Sequence, residues 1–478
     1  MALDIKVESE KIKSAFFGSD DFINLDFNFN NRAVKAFTID GMVDKELFEI
    51  NVIKPLKRFD GEFEGDVIDV LNSEICLSSS ISTTADFQEA LNFIAAGDVV
   101  LLIEGGEFYY CLPLRKYKTR SIMEPPTSSV IKGPREGFIE DIKTNITMIR
   151  RRVKNNNLVV KTKCVGRYTN TSVALVYING IVDMKIVEKI EQRLSEINID
   201  GIIDSSYIAR FLEENKNSLF NQVGTSEKPD IVTAKILEGR VAVIVEGSPI
   251  VLTLPYIFIE SIQDAQDYYT HSLRASFLRV VRLLGQLFSI FLPAIYVAFQ
   301  EFQYQMLPLK FLITILNAIR GIPLNPTLEM VCVLLIFEIL NEASVRMPKY
   351  IGVALSIVGA IVLGDTAVKA GLVSSPTVLI CALSTIGLYC VPDLSAEGST
   401  IRLIFVGIGG VFGLFGVVIC IMLIAAYLCS INNYGTPYLA PYAPIIPSDL
   451  KDGIFKSRLF DMKKRPYSIP NKNRRRMK

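Results

Sequence analysis

Histidine is nearly missing from this chain: His271 is the single one among 478 residues. That argues against a His-activated nucleophile and against a metal site built on several His ligands. The eight cysteines contain no CxxC pair, and five of them fall after residue 282. We therefore expect neither a disulfide framework nor a zinc site. A GxxxxGK(S/T) phosphate loop is absent, and the glycines of Glu104-Gly105-Gly106 and Glu246-Gly247 read as hairpin turns. The first thirty residues are charged and polar, without the apolar stretch of a signal peptide, so none is expected. With no credible catalytic set, no cofactor and no metal site, the chain reads as a non-enzyme.

What is present is distributed unevenly. Hydrophobic residues make up 50% of the chain, concentrate after residue 282, and raise the mean hydropathy to +0.33. The net charge of +1 conceals a polarity: residues 431–478 carry 11 Lys/Arg and 3 Asp/Glu, or +8, leaving −7 on the rest. The basic tail adjoins an apolar run, so it points to membrane lipid and away from nucleic acid.

The polar half repeats itself. Ala36–Glu46 (AFTIDGMVDKE) matches Val176–Lys185 (VYINGIVDMK), each a short β run, a glycine turn and a Val-Asp helix start. Asp98–Pro113 matches Arg240–Pro255, each a strand, a Glu-Gly turn, a second strand and a closing proline. The offset is roughly 140 residues in both cases. We read an α/β cytosolic region of two related modules, with small mixed sheets, followed by an α-helical multispanning membrane domain. Asp40, Asp44 and Asp183 suit turn and helix-cap chemistry. The expected divisions are a first module (1–122), a linker helix and second module (123–265), an amphipathic junction helix (266–282), a transmembrane domain (283–430) and a basic Pro/Tyr-rich tail (431–478).

Pro134 suits the first position of the linker helix, whose Ile139, Ile142, Ile146, Ile149 and Val153 form one apolar stripe. It ends in Arg150–Arg152, which fit a solvated helix terminus or a headgroup contact. In the junction helix Leu273, Phe277, Val280 and Leu284 share one side and Arg274, Arg279 and Arg282 another, with His271 among them. That pattern predicts an interfacial helix on an anionic leaflet.

Apolar runs cover Leu283–Phe299, Leu328–Leu340, Tyr350–Leu372, Ser374–Val391 and Leu403–Cys429. The last is long enough to span with tilt. Phe311–Ile319 is too short to cross. An unsignalled polar half and a +8 tail belong on the cytoplasmic side, which demands an even number of crossings. We therefore expect four full spans plus partial elements within Pro308–Pro348, with six short spans as the alternative and the Glu397 loop outside.

Charges inside this half are costly, at roughly 2.5–3.5 kcal/mol or more each at mid-bilayer. Glu338, Glu342 and Arg346 follow i,i+4 steps before Pro348, and Asp365 and Lys369 form a second i,i+4 pair. Each set either lines a polar pathway or locks helices by ion pairing. Gly409, Gly413 and Gly416 share one helix face and predict close helix packing. Tyr434–Pro441 reads as a rigid interfacial segment, and Arg474, Arg475 and Arg476 as a headgroup-binding end.

Several motifs stand in a familiar order: GPREGF (Gly133–Phe138), NITMIRRR (Asn145–Arg152), EKPD (Glu227–Asp230), LEGRVAVIVEGSP (Leu237–Pro249), FEILNEASVRMPKYIG (Phe337–Gly352), GDTAVKAGLVSSP (Gly364–Pro376) and YGTPYLAPYAP (Tyr434–Pro444). In these the chain resembles the A-subunit family of bacterial spore germinant receptors, the GerA type. Lys228 stands where that family more commonly has arginine, and Asp365 where it often has an amide. The resemblance implies a multi-pass subunit in the spore inner membrane, assembled with a transporter-like B subunit and a lipoprotein C subunit. It also implies a homo-oligomer that transduces nutrient sensing, forming or gating an ion pathway, with the nutrient held mainly by the B subunit. From the residues alone, a secondary transporter with regulatory cytosolic domains stays open, since prolines 308, 323 and 348 would suit broken helices.

Overall fold

A computed structural model describes residues 3–29, 32–54, 81–116, 132–346 and 365–477. In the first half the duplicated motifs land in equivalent places. Strands β1 (Phe22–Phe29), β2 (Arg32–Ile39), β3 (Ser82–Thr84), β4 (Val99–Ile103) and β5 (Tyr109–Leu112) form one sheet in the order β1-β2-β4-β5-β3. Strands β6 (Leu158–Val165), β7 (Thr171–Ile178), β8 (Gly224–Ser226), β9 (Val241–Val245) and β10 (Val251–Leu254) repeat it as β6-β7-β9-β10-β8. The two Glu-Gly turns close β4-β5 and β9-β10, with Gly105 and Gly247 both at φ +82, where a side chain would be strained.

Among the described residues every pairing in both sheets is antiparallel, which corrects the expectation of mixed sheets. Parallel neighbours need one crossover that returns the chain to its starting end. Between β7 and β9 the chain instead forms three helices and the edge strand β8, and it re-enters from the opposite end.

The second sheet is covered on both faces, as strand periodicity requires. Val173, Leu175, Val243 and Val245 pack beneath helices Met184–Glu196 and Ser205–Leu212. Ala174, Val176, Ala242 and Ile244 meet helices Ile142–Arg152 and Pro229–Glu238. The first of these helices starts later than Pro134 predicts. Asp141 caps it by accepting from the Thr144 N–H at 3.1 Å, and Phe138 is tied instead to the Glu227 carbonyl at 2.8 Å.

The helical half begins with one 30-residue helix, Ser272–Glu301, which fuses the expected junction helix to the first apolar run. Leu309–Ile319 is an 11-residue helix, too short to cross, and Pro326–Arg346 carries the acidic ladder. Most of the Tyr350–Leu372 run, with Pro348, lies outside the described residues. Ser375–Leu388 runs back antiparallel to the first helix, its Ser384 hydroxyl donating to the Ser289 carbonyl at 2.7 Å.

The last apolar run is a hairpin. Ser395–Ser430 is helical on both sides of Gly413, which sits at φ 61, ψ −157. A Cβ on Gly409 would lie 3.4 Å from Val417 Cγ2, whereas eight helical residues would separate them by about 12 Å along an axis. Each arm is about 26 Å long, close to the ~30 Å of a hydrocarbon core. Both arms end against the second sheet unit. Glu397 takes a backbone hydrogen bond from Asn221, and Tyr427 packs on Phe220 with ring centroids 6.3 Å apart. The far end is the Gly413 turn, where the Gln303 side chain accepts from the Leu414 N–H at 3.2 Å.

This corrects two expectations. Leu403–Cys429 does not run as a single straight span, because Gly413 folds it back. The Glu397 loop lies beside the second unit and the tail, not opposite them.

Candidate functional site: the charged joints of the helical half

The i,i+4 ladder is divided between two partners. Glu342 and Arg346 pair with each other, Arg346 Nε lying 2.7 Å from Glu342 Oε1, and both side chains are exposed. Glu338 turns away from them toward Arg402, with Nη2–Oε2 at 3.5 Å. Leu335, Glu338, Ile339, Glu342, Ala343 and Arg346 line a shallow open groove on this helix. Asp365 and Lys369 likewise form an exposed pair at 2.8 Å.

Arg402 and Glu329 are charged groups that the sequence reading did not single out. Arg402, 1% exposed, lies on the first arm of the hairpin and donates to Ser384 Oγ at 3.0 Å and Thr385 Oγ1 at 3.3 Å. It thus joins three helices through one guanidinium, whose fixed fork suits several acceptors. Glu329, also 1% exposed, accepts from the Ser374 N–H at 2.6 Å and its hydroxyl at 2.8 Å, at the start of helix Ser375–Leu388. A carboxylate there meets the positive end of the helix dipole. The available signal was position: Arg402 directly precedes the longest apolar run, and Glu329 interrupts another.

The three glycines do different things. Gly409 permits a close approach, since a Cβ there would lie 2.8 Å from the Ala294 carbonyl oxygen. Gly413 breaks the helix, and Gly416 faces Phe412 and Ile408 across the turn. The expectation of a shared packing face therefore fails for Gly413 and Gly416. An αL-side φ separates them from Gly409.

The headgroup arginines need a sharper correction. Arg279 is 0% exposed and Arg282 is largely buried, while the apolar Leu273 and Phe277 are 87% and 65% exposed. Arg279 Nε and Arg282 Nη1 each donate to Asp267 Oδ2 at 2.9 Å, and Arg282 Nη2 reaches Oδ1 at 2.7 Å. Arg279 Nη1 also grips the tail, donating to Asp452 Oδ1 at 2.9 Å and the Gly453 carbonyl at 2.6 Å. Burial alone would raise the Asp267 carboxyl, but the hydrogen bonds from Arg282 and Arg279 outweigh it and hold it below the usual range. Among the three, Arg274 remains at the surface. At the chain end, Arg474 stacks on Tyr467 at 3.9 Å, Arg475 is surface-exposed, and Arg476 lies 3.9 Å from Glu238.

Arg150 is not a solvated helix end either. It is 1% exposed and reaches Asp21 of the first unit with Nε at 2.8 Å and Nη2 at 2.6 Å. Arg152 pairs with Glu136 at 2.6 Å.

The tail is part of the second unit. Tyr434 joins the core of the second sheet and donates to the Leu212 carbonyl at 2.8 Å. Asn433 donates to the Gln222 and Tyr256 carbonyls, and Tyr438 is fully buried beside Tyr256 and Phe258. The Tyr434–Pro441 stretch is thus a core segment, because the Tyr434 ring and hydroxyl and the Tyr438 ring find protein partners.

Paired antiparallel sheet units, sealed by the tail to a bundle of apolar helices with buried charges, define a membrane-associated protein. The chain belongs to the GerA family of spore germination proteins: the family described as "Bacillus/Clostridium GerA spore germination protein" matches residues 10–468. It is 34% identical to spore germination protein KA of Bacillus subtilis (strain 168) over 91% of this chain and 80% of that protein. It is 32% identical to the uncharacterized membrane protein YfkQ of the same organism over 98% of this chain and 92% of that one. Among solved structures, the N-terminal domain of the A subunit of the Bacillus megaterium spore germinant receptor GerK3 matches with a TM-score of 0.43 and 26% identity. That match covers 54% of this chain and 98% of the domain. A role in spore germination follows from the family.

Proposed function

We propose that this chain is the membrane subunit of a spore germinant receptor complex and transduces nutrient sensing into germination by forming or gating an ion-conducting pathway. It resides in the spore inner membrane as a multi-pass protein with both its sheet units and its tail in the cytoplasm. Its partners are a transporter-like B subunit, a lipoprotein C subunit and further copies of itself, and the nutrient is held mainly by the B subunit. The side assignment rests on the basic tail, which packs on the second unit and carries +8.

The supporting observation is the open groove on Pro326–Arg346 that carries Glu338, Glu342 and Arg346, tied through Glu338 to Arg402 on the hairpin. Glu342 and Arg346 are exposed beside the apolar Leu335 and Ile339 of the same helix, and an ionisable pair in that setting is a candidate for an ion pathway. Glu342→Ala breaks an exposed pair worth about 0.2–1 kcal/mol, so the protein should accumulate normally. Spores carrying it should release monovalent cations at least about tenfold more slowly after nutrient, a change of roughly 1.4 kcal/mol in barrier. Release at the wild-type rate with wild-type protein levels would overturn the reading.

A further inference from the structure

The tail carries large apolar side chains that the second unit leaves uncovered. Phe455 is 70% exposed, Leu459 52% and Phe460 79%. This loop is fixed beside the start of helix Ser272–Glu301: the Lys456 N–H donates to Ser276 Oγ at 2.9 Å, and Arg279 holds Asp452. Ser276 adjoins Phe277, and Leu273 lies one turn earlier; these too are exposed. From there the stripe continues along the same helix as Val281, Leu284 and Phe288, all at least 41% exposed. Between Lys451 and Arg465 the tail has six basic and two acidic residues, and Lys451, Arg458, Lys463 and Lys464 are at the surface.

We propose that the tail loop around Phe455–Phe460, together with Leu273 and Phe277, is a foot that inserts into the interface of an anionic lipid leaflet. Two observations select lipid as the occupant. The aromatic loop is fixed to the start of a helix long enough to cross a membrane, on which an exposed apolar stripe begins at Leu273, and its flanks are basic. The buried arginine clamp on Asp267 has a role here: it fixes the height of the foot relative to the helix. The proposal rests on the membrane placement given above.

The chain has no tryptophan, so single substitutions report on one place each. Full-length F455W, F460W, F288W and F17W would be reconstituted in nanodiscs of phosphatidylcholine with and without phosphatidylglycerol, containing lipids brominated near the headgroup or deep in the chains. F288W tests the membrane placement itself, and F17W, on the first unit, is the unquenched reference. The foot predicts that F455W and F460W lose about half of their emission to shallow bromines and little to deep ones, as a 5–10 Å insertion requires. It also predicts weaker quenching when phosphatidylglycerol is omitted. Quenching of F288W without quenching of F455W or F460W would overturn the foot alone. Failure of F288W as well would overturn the membrane placement beneath it. Blue-shifted, unquenched F455W and F460W would assign the loop to a protein contact and also overturn the foot, and equal quenching without phosphatidylglycerol would overturn the choice of an anionic leaflet.

Discussion

Asp267→Asn is the substitution with the largest effect expected from a single atom exchange. Asp267 is 0% exposed and accepts three hydrogen bonds from two guanidiniums, at 2.7–2.9 Å. The neutral amide fits the same space, but leaves Arg279 and Arg282 facing each other with one charge partner, Asp452, on the Arg279 side. Removing one member of a buried charge group costs roughly 3–5 kcal/mol, because the remaining charge stays desolvated. Asp267 also closes a capping box with Asp264 at the start of the Ala265–Tyr269 helix, which adds to the loss. For a unit of this size the melting temperature should fall by about 6–20 °C. Detergent-solubilised full-length protein, followed by circular dichroism and by limited proteolysis of the tail, measures this. The tail should be cut faster in the variant, since Arg279 holds it at Asp452 and Gly453. A melting temperature within about 2 °C of wild type would refute the claim that these charges form a buried clamp. Arg346→Ala is the matched control; its pair is exposed, so a shift of at most about 1 kcal/mol is expected.

Other consequences can be measured in the same way. The Asp267 carboxyl is lowered from 3.8 in the folded protein, so its stabilisation is complete above that value and is lost as pH falls through the lower folded value. Tail proteolysis should therefore be unchanged between pH 5 and 8 and rise only in strong acid; a loss near neutrality would point to a different group. Gly413→Ala would place a Cβ 2.9 Å from Gln303 Nε2 at a φ of +61, costing about 1–3 kcal/mol, read as reduced yield of folded protein on detergent gel filtration. Wild-type yield and melting would mean that the hairpin turn tolerates side chains. In a cysteine-free background, A396C and K472C should react with an impermeant maleimide from the same side of the membrane. Reaction from opposite sides would refute the folded-back arrangement of Ser395–Ser430.

Local features were legible where their determinants lie close in sequence. The Glu-Gly hairpins, the Asp44 and Asp183 caps and the apolar stripe from Ile142 to Val153 each depend on neighbours within a turn or two. The joints were not, because their partners are distant. Arg279 looks like a headgroup residue until Asp452 is brought to it, and Arg150 looks solvated until Asp21 arrives from the first unit. Gly413 was the hardest: a glycine at helical spacing from Gly409 reads equally as a packing residue, and only a φ of +61 distinguishes a turn from a crossing. Charge position also misled the assignment of faces. The apolar and basic sides of the junction helix were separated correctly, but a clamp turned the basic side inward.

Tyr434 has a further consequence, for the order in which the protein is made. It lies in the core of the second sheet, among residues such as Val243 and Leu252 that leave the ribosome nearly two hundred residues earlier. That position of the sheet core is therefore filled only after the whole helical half has been synthesised. A chain interrupted after Ser430 would carry the set of helices beside a unit whose core lacks the Tyr434 ring. Synthesis past the helical half is thus registered in the polar half by a single aromatic ring.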